Sequence, residues 1–374
     1  MGIGHFLVSS DLSLLLLGLN NKLGIHKLNG DFCIHTDKLG QDSVNIYNLG
    51  ANHDRCWGHH YEMDSGKAII FFPQSNSFSF YSEYINQYDP DNNEYYITSS
   101  KSYTLGKVDS KLVKKIWQTS YEPHSFYHTT KICFLLAKLN QLVALNNQTG
   151  EELWIYTLPK SFDFVDFTSK KLEGKIVKIL GAYKDNVWLL ISNGSLLALN
   201  TKTGLQSAHI VTPSFAEGFN SERQQNIKKH IDKNNYGVFN NSSNNVQLDT
   251  DKGVIFGFPY QCYAEVNLKN PTYPFTLWDI KHTLDAQKEG DKPGFESLKI
   301  GSWEKNDVYV YDSFFDSNRF GVFDRATREI RWSEYFEGED EGWGAIQDLK
   351  YTSGYLYIHA KVDKSLHIYQ LEKM

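Results

Sequence analysis

Short apolar runs alternate along this chain with turn-forming residues, and one arrangement recurs. In LVALNNQTGEELW, Leu142, Ala144 and Leu153 hold apolar positions of two strands, and Asn147-Gln148-Thr149-Gly150 supplies the turn between them. Glycine takes the left-handed backbone that a tight reversal needs. An Asn or Asp closing the first strand accepts hydrogen bonds from the turn backbone. Trp154 falls eight residues after Asn146, Trp117 eight after Asp109 and Trp332 eight after Asp324. Asn200 opens a fourth copy, LLALNTKTGLQSA, with Ala208 in place of the indole. A looser fifth runs from Asn267 to Trp278, with three extra residues and Pro271 in its turn.

A hairpin of this kind cannot bury its apolar face alone, so repeated copies must cover one another. The copies start 37, 54, 67 and 57 residues apart. A four-stranded propeller blade needs roughly 40–50 residues, so the longer intervals imply insertions. The pattern predicts one all-β domain over residues 1–374, a single closed β-propeller of four-stranded antiparallel blades, with seven blades favoured over six or eight. Blade one falls within residues 6–35, blade two within 67–120 and blade three around the 146 hairpin. Blades four to seven start near Ile176, Gly253, Leu298 and Ile346. The last set is one strand short, and the N-terminal strand near Ile3–Val8 is expected to complete it and remove the open edge.

The motif L-x-A-L-N-x-x-T-G-x-x-L-W resembles the blade repeat of PQQ-like β-propellers, a family of quinoprotein dehydrogenases and non-enzymatic envelope scaffolds. WD40 repeats also turn at Asp-x-x-Thr-Gly but place Trp directly before the Asp. This chain has Leu145, Leu199, Val108 and Phe323 there. The resemblance implies the non-enzymatic branch. The family's dehydrogenases are much longer and carry an adjacent cysteine pair and a calcium site over the quinone, and this chain has no adjacent cysteines. No cofactor is therefore carried over. Trp117, Trp154, Trp278 and Trp332 read as inter-blade packing.

Composition changes the picture in three places. Net charge −6 gives no case for nucleic acid as a direct ligand and suits a basic partner. Leu14–Leu17 is the only apolar run near the start, too short to span a bilayer and without a basic segment before it, so the chain is expected to be cytoplasmic. Cys33, Cys56, Cys133 and Cys262 stand far apart and form no CxxC, which points to reduced structural thiols.

Candidate chemistry is sparse. His53-Asp54-Arg55-Cys56-Trp57-Gly58-His59-His60-Tyr61-Glu62 offers metal-ligating side chains, but in no standard zinc spacing, and an ordered loop is the default. Asp89–Glu94 lacks the central glycine of a calcium loop and reads as a solvated turn. No P-loop, GxSxG, HExxH or dinucleotide glycine motif occurs. Ser221 to Lys233 reads as a helix capped by Ser221, inside an insertion at about 213–247.

In a four-stranded meander the short Asn-x-Thr-Gly hairpins all lie on one face. The long connections, 49–64, 87–94, 122–129, 213–247, 283–296 and 334–343, lie mostly on the other. Loops carry function because the scaffold tolerates their variation. Glu334, Phe336, Glu337, Glu339, Asp340, Glu341 and Trp343 form an acidic stretch with two apolar residues, a solvated loop or a patch that docks a basic partner. The expected function is a non-catalytic, monomeric protein-binding propeller with no metal and no membrane contact. Its most specific form is an immunity protein that occludes an antibacterial toxin such as a basic nuclease. A scaffold subunit and a hydrolase or lyase with a central-pore site are the competing readings.

Overall fold

The computed structural model describes the strands of the first 81 residues and, from residue 82 on, all but 100–101, 167–168, 235–236, 240–244, 313–317, 338–344, 353, 362–364 and 372–374. The chain divides into two compact units. One holds residues 1–123, 148–150 and 351–374, and the other residues 124–147 and 151–350.

In the first unit, three four-stranded antiparallel meanders follow one another within residues 3–34, 46–81 and 84–118. Three corrections follow. Ile3–Val8 pairs with Leu14–Leu19 in the first sheet, so it is that sheet's own outer strand and does not complete the C-terminal set. The stretch expected as blade two, 67–120, holds the last two strands of the second sheet and all of the third. The expected loop 49–64 contains half of Ile46–Ala51 and all of Cys56–His60, two strands of the second sheet. His53, Asp54, Arg55, Tyr61 and Glu62 of the metal candidate lie outside the described residues. Asp89–Glu94 is the turn of a hairpin: the Asp89 carboxylate accepts from the Asp91 backbone and Asn92 side chain and pairs with the buried Lys107 ammonium at 2.9 Å. Trp57, Ala68 and Ile70 of the second sheet pack on Ile85, Tyr95, Ile97 and Val108 of the third.

The second unit repeats the scheme. Meanders lie within residues 125–157, 176–210 and 299–335, and a five-stranded sheet adds Ser214–Phe215, parallel to Phe275–Asp279, to four antiparallel strands within 246–279. The first of those four, Val246–Asp249, begins where the insertion expected at about 213–247 ends. Ile346–Thr352 follows, and Tyr355–Ala360 and Leu366–Gln370, paired antiparallel, return to the first unit.

Every copy of the recurrent hairpin joins the third strand of its sheet to the fourth, as expected. The capping chemistry also holds. Asn200 Oδ1 accepts from the Lys202 and Thr203 N–H groups at 3.0 and 3.1 Å, and Asp324 Oδ1 from Ala326 at 2.8 Å. Asp109 accepts from Val113 and Lys114, and those backbone donors, Val113 first, hold its pKa down.

The indoles explain the period. A Cβ on Gly150 (φ +73) would lie 2.7 Å from the Trp117 ring, and one on Gly204 (φ +70) 2.7 Å from Trp154, so each turn glycine lies flat on the Trp of the preceding sheet. Trp154 Nε1 also donates to the Thr201 carbonyl at 2.9 Å. In the 324 copy Arg328 stands in the left-handed position (φ 64) and its guanidinium lies 4.4 Å from the Trp278 ring centroid. One apolar layer joins sheets 125–157 and 176–210, a second joins 176–210 to 246–279, and a third joins 246–279 to 299–335. Inner strands such as Asn186–Ile191 are covered on both faces, which is why they read as continuous apolar runs.

Candidate functional site

Within the second unit the turns that join second to third strands and the connections between sheets meet at one end of the sheets. Residues 211–245 carry helix α1 (Ser221–Asn234), and residues 280–298 carry helix α2 (Lys281–Asp285). Asn220, not Ser221, caps α1: its Oδ1 accepts the Arg223 N–H at 2.9 Å and its carbonyl the Gln224 N–H at 2.8 Å. Ile227 and Ile231 turn inward onto the core below. Beyond the helix, the Phe239 N–H bonds to the Gly194 carbonyl, fastening the insertion over the turn between Asn186–Ile191 and Leu196–Asn200.

The sharpest feature is the tip between Val254–Gly257 and Cys262–Asn267. Tyr260 and Gln261 both take positive φ, 51° and 58°, where hairpins normally use Asn-Gly. Such backbone costs of order 1–3 kcal/mol per residue and persists only where its surroundings enforce it. Here the Cys262 N–H closes the turn on the Pro259 carbonyl at 2.8 Å. Arg223 reaches down from α1, pairs with Asp279 and donates to the Tyr260 carbonyl at 2.6 Å. The held Tyr260 side chain is 39% exposed. On one side of the tip lies a cavity of about 200 Å³, walled by Phe239, Val246, Phe258, Pro259 and Lys299. On the other is one of about 500 Å³, with Gln261, Lys281, Asp285, Lys288, Phe295 and Glu296 in its wall.

This tip escaped the sequence reading, which looks for glycine or asparagine in tight turns. The three residues Pro259-Tyr260-Gln261 between two apolar runs were the available signal.

Of the expected partner-binding residues, the structure describes three. Glu334 ends the strand Glu329–Tyr335. Glu337 is exposed and pairs with Lys292, whose pKa that hydrogen bond raises. Phe336 corrects its assignment: it is 2% exposed, its N–H donates to the Asn318 carbonyl at 2.7 Å, and it is a core residue, not a surface anchor. Glu339, Asp340, Glu341 and Trp343 lie outside the described residues.

Two groups resemble reactive sites and are not. Ser195 Oγ donates to Asn193 Oδ1 at 2.6 Å and meets His209 Nε2 at 3.0 Å, but Ser195 is fully buried and burial lowers the His209 pKa. Cys133 and Cys262 are buried thiols outside any disulfide, and burial pushes the Cys262 thiol up to about 12, an unreactive state. Among the described residues no three His, Cys, Asp or Glu gather to hold a metal ion.

No family model matches the sequence, and no characterised protein matches it by sequence. Solved structures match in shape. BamB from Moraxella catarrhalis, a PQQ-like β-propeller, superposes with TM-score 0.54 at 10% identity over 99% of this chain and 98% of its own. The fold is that of a β-propeller. The computationally designed Ika8 protein gives TM-score 0.58 at 12% identity, covering 99% of this chain and 96% of that one. Saccharomyces cerevisiae Sqt1 gives 0.57 at 10% identity, covering 100% and 96%. Identities this low carry the architecture alone.

Proposed function

We propose that this propeller is a non-catalytic binding protein, closed into one ring and acting through the end of its sheets that bears the long connections. The reading rests on the Tyr260–Gln261 tip: backbone strain, an exposed aromatic ring and a half-buried arginine clamp coincide beside two cavities. Seven sheets of four or more strands, followed by the C-terminal strands, favour eight blades over the seven first expected.

The specific form we propose is a cytoplasmic immunity protein whose partner is a basic toxin domain. A net charge of −6 and the acids of Glu334–Trp343 supply the attraction, and the tip supplies a fixed aromatic anchor. Mixed with the product of a neighbouring toxin-like gene, the protein should co-elute with it on gel filtration.

Two variants separate the contributions. Tyr260→Ala should weaken that complex by about 2 kcal/mol, roughly thirtyfold in Kd, with little dependence on salt. Reversal of Glu337, Glu339, Asp340 and Glu341 to lysine should weaken it in a salt-sensitive way and strand Lys292 without its partner. Titration calorimetry at two salt concentrations checks both, and unchanged affinity in both variants would remove this surface from the interaction.

A further inference from the structure

A third cavity, of about 590 Å³, opens where residues 158–175 join sheet 125–157 to sheet 176–210. Its apolar wall comes from Leu172 and Val177, both half-buried, with Leu139, 43% exposed, at the margin, while Phe164 and Ile176 lie behind them in the core. Phe164 and Leu172 face each other across a two-stranded ribbon. The Ile176 N–H is tied to the Leu139 carbonyl at 2.6 Å, which fixes the far wall.

The polar part of the lining is small: Lys171, Lys175, Glu173 and Ser192. Neither lysine side chain forms an ion pair among the described residues, whereas others on this unit do, such as Lys281 with Asp285 and Lys292 with Glu337. Ser192 Oγ accepts the Lys175 backbone N–H at 2.8 Å, which leaves the hydroxyl proton available as a donor. Glu173 offsets one of the two lysines, so the lining carries one net positive charge on a chain of net charge −6.

We propose that this cavity binds a linear alkyl carboxylate. The chain would lie against Leu172, Val177 and Leu139, and the carboxylate would take its hydrogen bonds from the Lys171 and Lys175 ammonium groups and the Ser192 hydroxyl. The lining selects this class by exclusion. Apart from Ser192 it offers no neutral side chain to bond the hydroxyls of a sugar or the ring edge of a nucleobase. Its charge balance matches a single anion. Lysine ammoniums are point charges that suit a carboxylate without demanding the planar fork of an arginine. The site is separate from the tip at Tyr260 and does not depend on it.

The test is titration calorimetry of the intact protein with decanoate, kept below its micelle concentration. Decanol, the same chain without the charge, is the control. Saturable decanoate binding is expected, at least tenfold weaker for decanol and at least tenfold weaker in Lys171→Gln/Lys175→Gln. Both lysines are exposed, so that variant should melt with the parent. A second variant, Val177→Trp, fills the apolar wall and should abolish binding while both charges remain. Absence of decanoate binding to the parent overturns the proposal, as does affinity unchanged in the lysine variant. Equal affinity for decanol and decanoate would also overturn it, since the anion site would then contribute nothing.

Discussion

Trp154→Ala should destabilise the protein by about 3–5 kcal/mol, the range for deleting a large buried aromatic. Three losses combine. The indole leaves the apolar layer it shares with Phe134, Leu136, Leu197 and Leu199. The flat surface under Gly204 becomes a void, because that glycine approaches the ring more closely than any Cβ could. The Thr201 carbonyl loses the Nε1 donor at 2.9 Å. The neighbouring Leu153→Ala is the control: Leu153 is 47% exposed, and its truncation should change stability by no more than about 0.5 kcal/mol. Urea unfolding followed by tryptophan emission measures both. If the two variants unfold at the same urea concentration, the turn-on-indole contact is not what joins these sheets.

That contact also explains why much of the fold can be read from the sequence. A turn that must lie on a neighbour's indole fixes an Asn or Asp, a left-handed residue and a Trp at constant spacing, and all three are visible as letters. The reading weakens where the letters change and the geometry persists. Arg328 holds the left-handed position in the 324 copy although nothing in an arginine side chain favours it. Ile46–Ala51 and Cys56–His60 carry Gly, Asn and His in place of alternating apolar residues, so the first two strands of the second sheet read as a loop.

The candidate site was legible only in outline. Long connections are visible as such, but Phe336, standing among acids, reads as an anchor. Its burial depends on the Asn318 carbonyl, which no local pattern announces. Tyr260 was missed for the converse reason. Its backbone conformation is imposed by Arg223, 37 residues away in sequence, against the preference of the turn itself.

Removing the Arg325 guanidinium should cost about 3–5 kcal/mol, because it leaves a buried carboxylate without its countercharge. Arg325 is 5% exposed, packs 4.4 Å from the Phe256 ring centroid and pairs with Asp249, tying the hairpin at 249–254 to the turn at 324–328. Burial by itself would raise the Asp249 pKa. The Lys252 N–H, then the hydrogen bond and charge of Arg325, outweigh it and hold the pKa below the ordinary carboxylate value. A carboxylate depressed in the folded state contributes stability at pH above its unfolded pKa, and that contribution fades as pH falls through the folded one. In Arg325→Met the burial cost is opposed by the Lys252 N–H and more distant charge alone, so the pKa rises. The acid-side loss of stability at this site should shrink or change sign. Asp249→Leu/Arg325→Met removes both charges and should recover most of the loss, since a buried pair is often matched by apolar residues of similar size. Urea midpoints between about pH 3 and pH 7 distinguish these outcomes, spanning the ordinary carboxylate range. A single variant no less stable than the double would show that the charge pair does not hold these two sheets together.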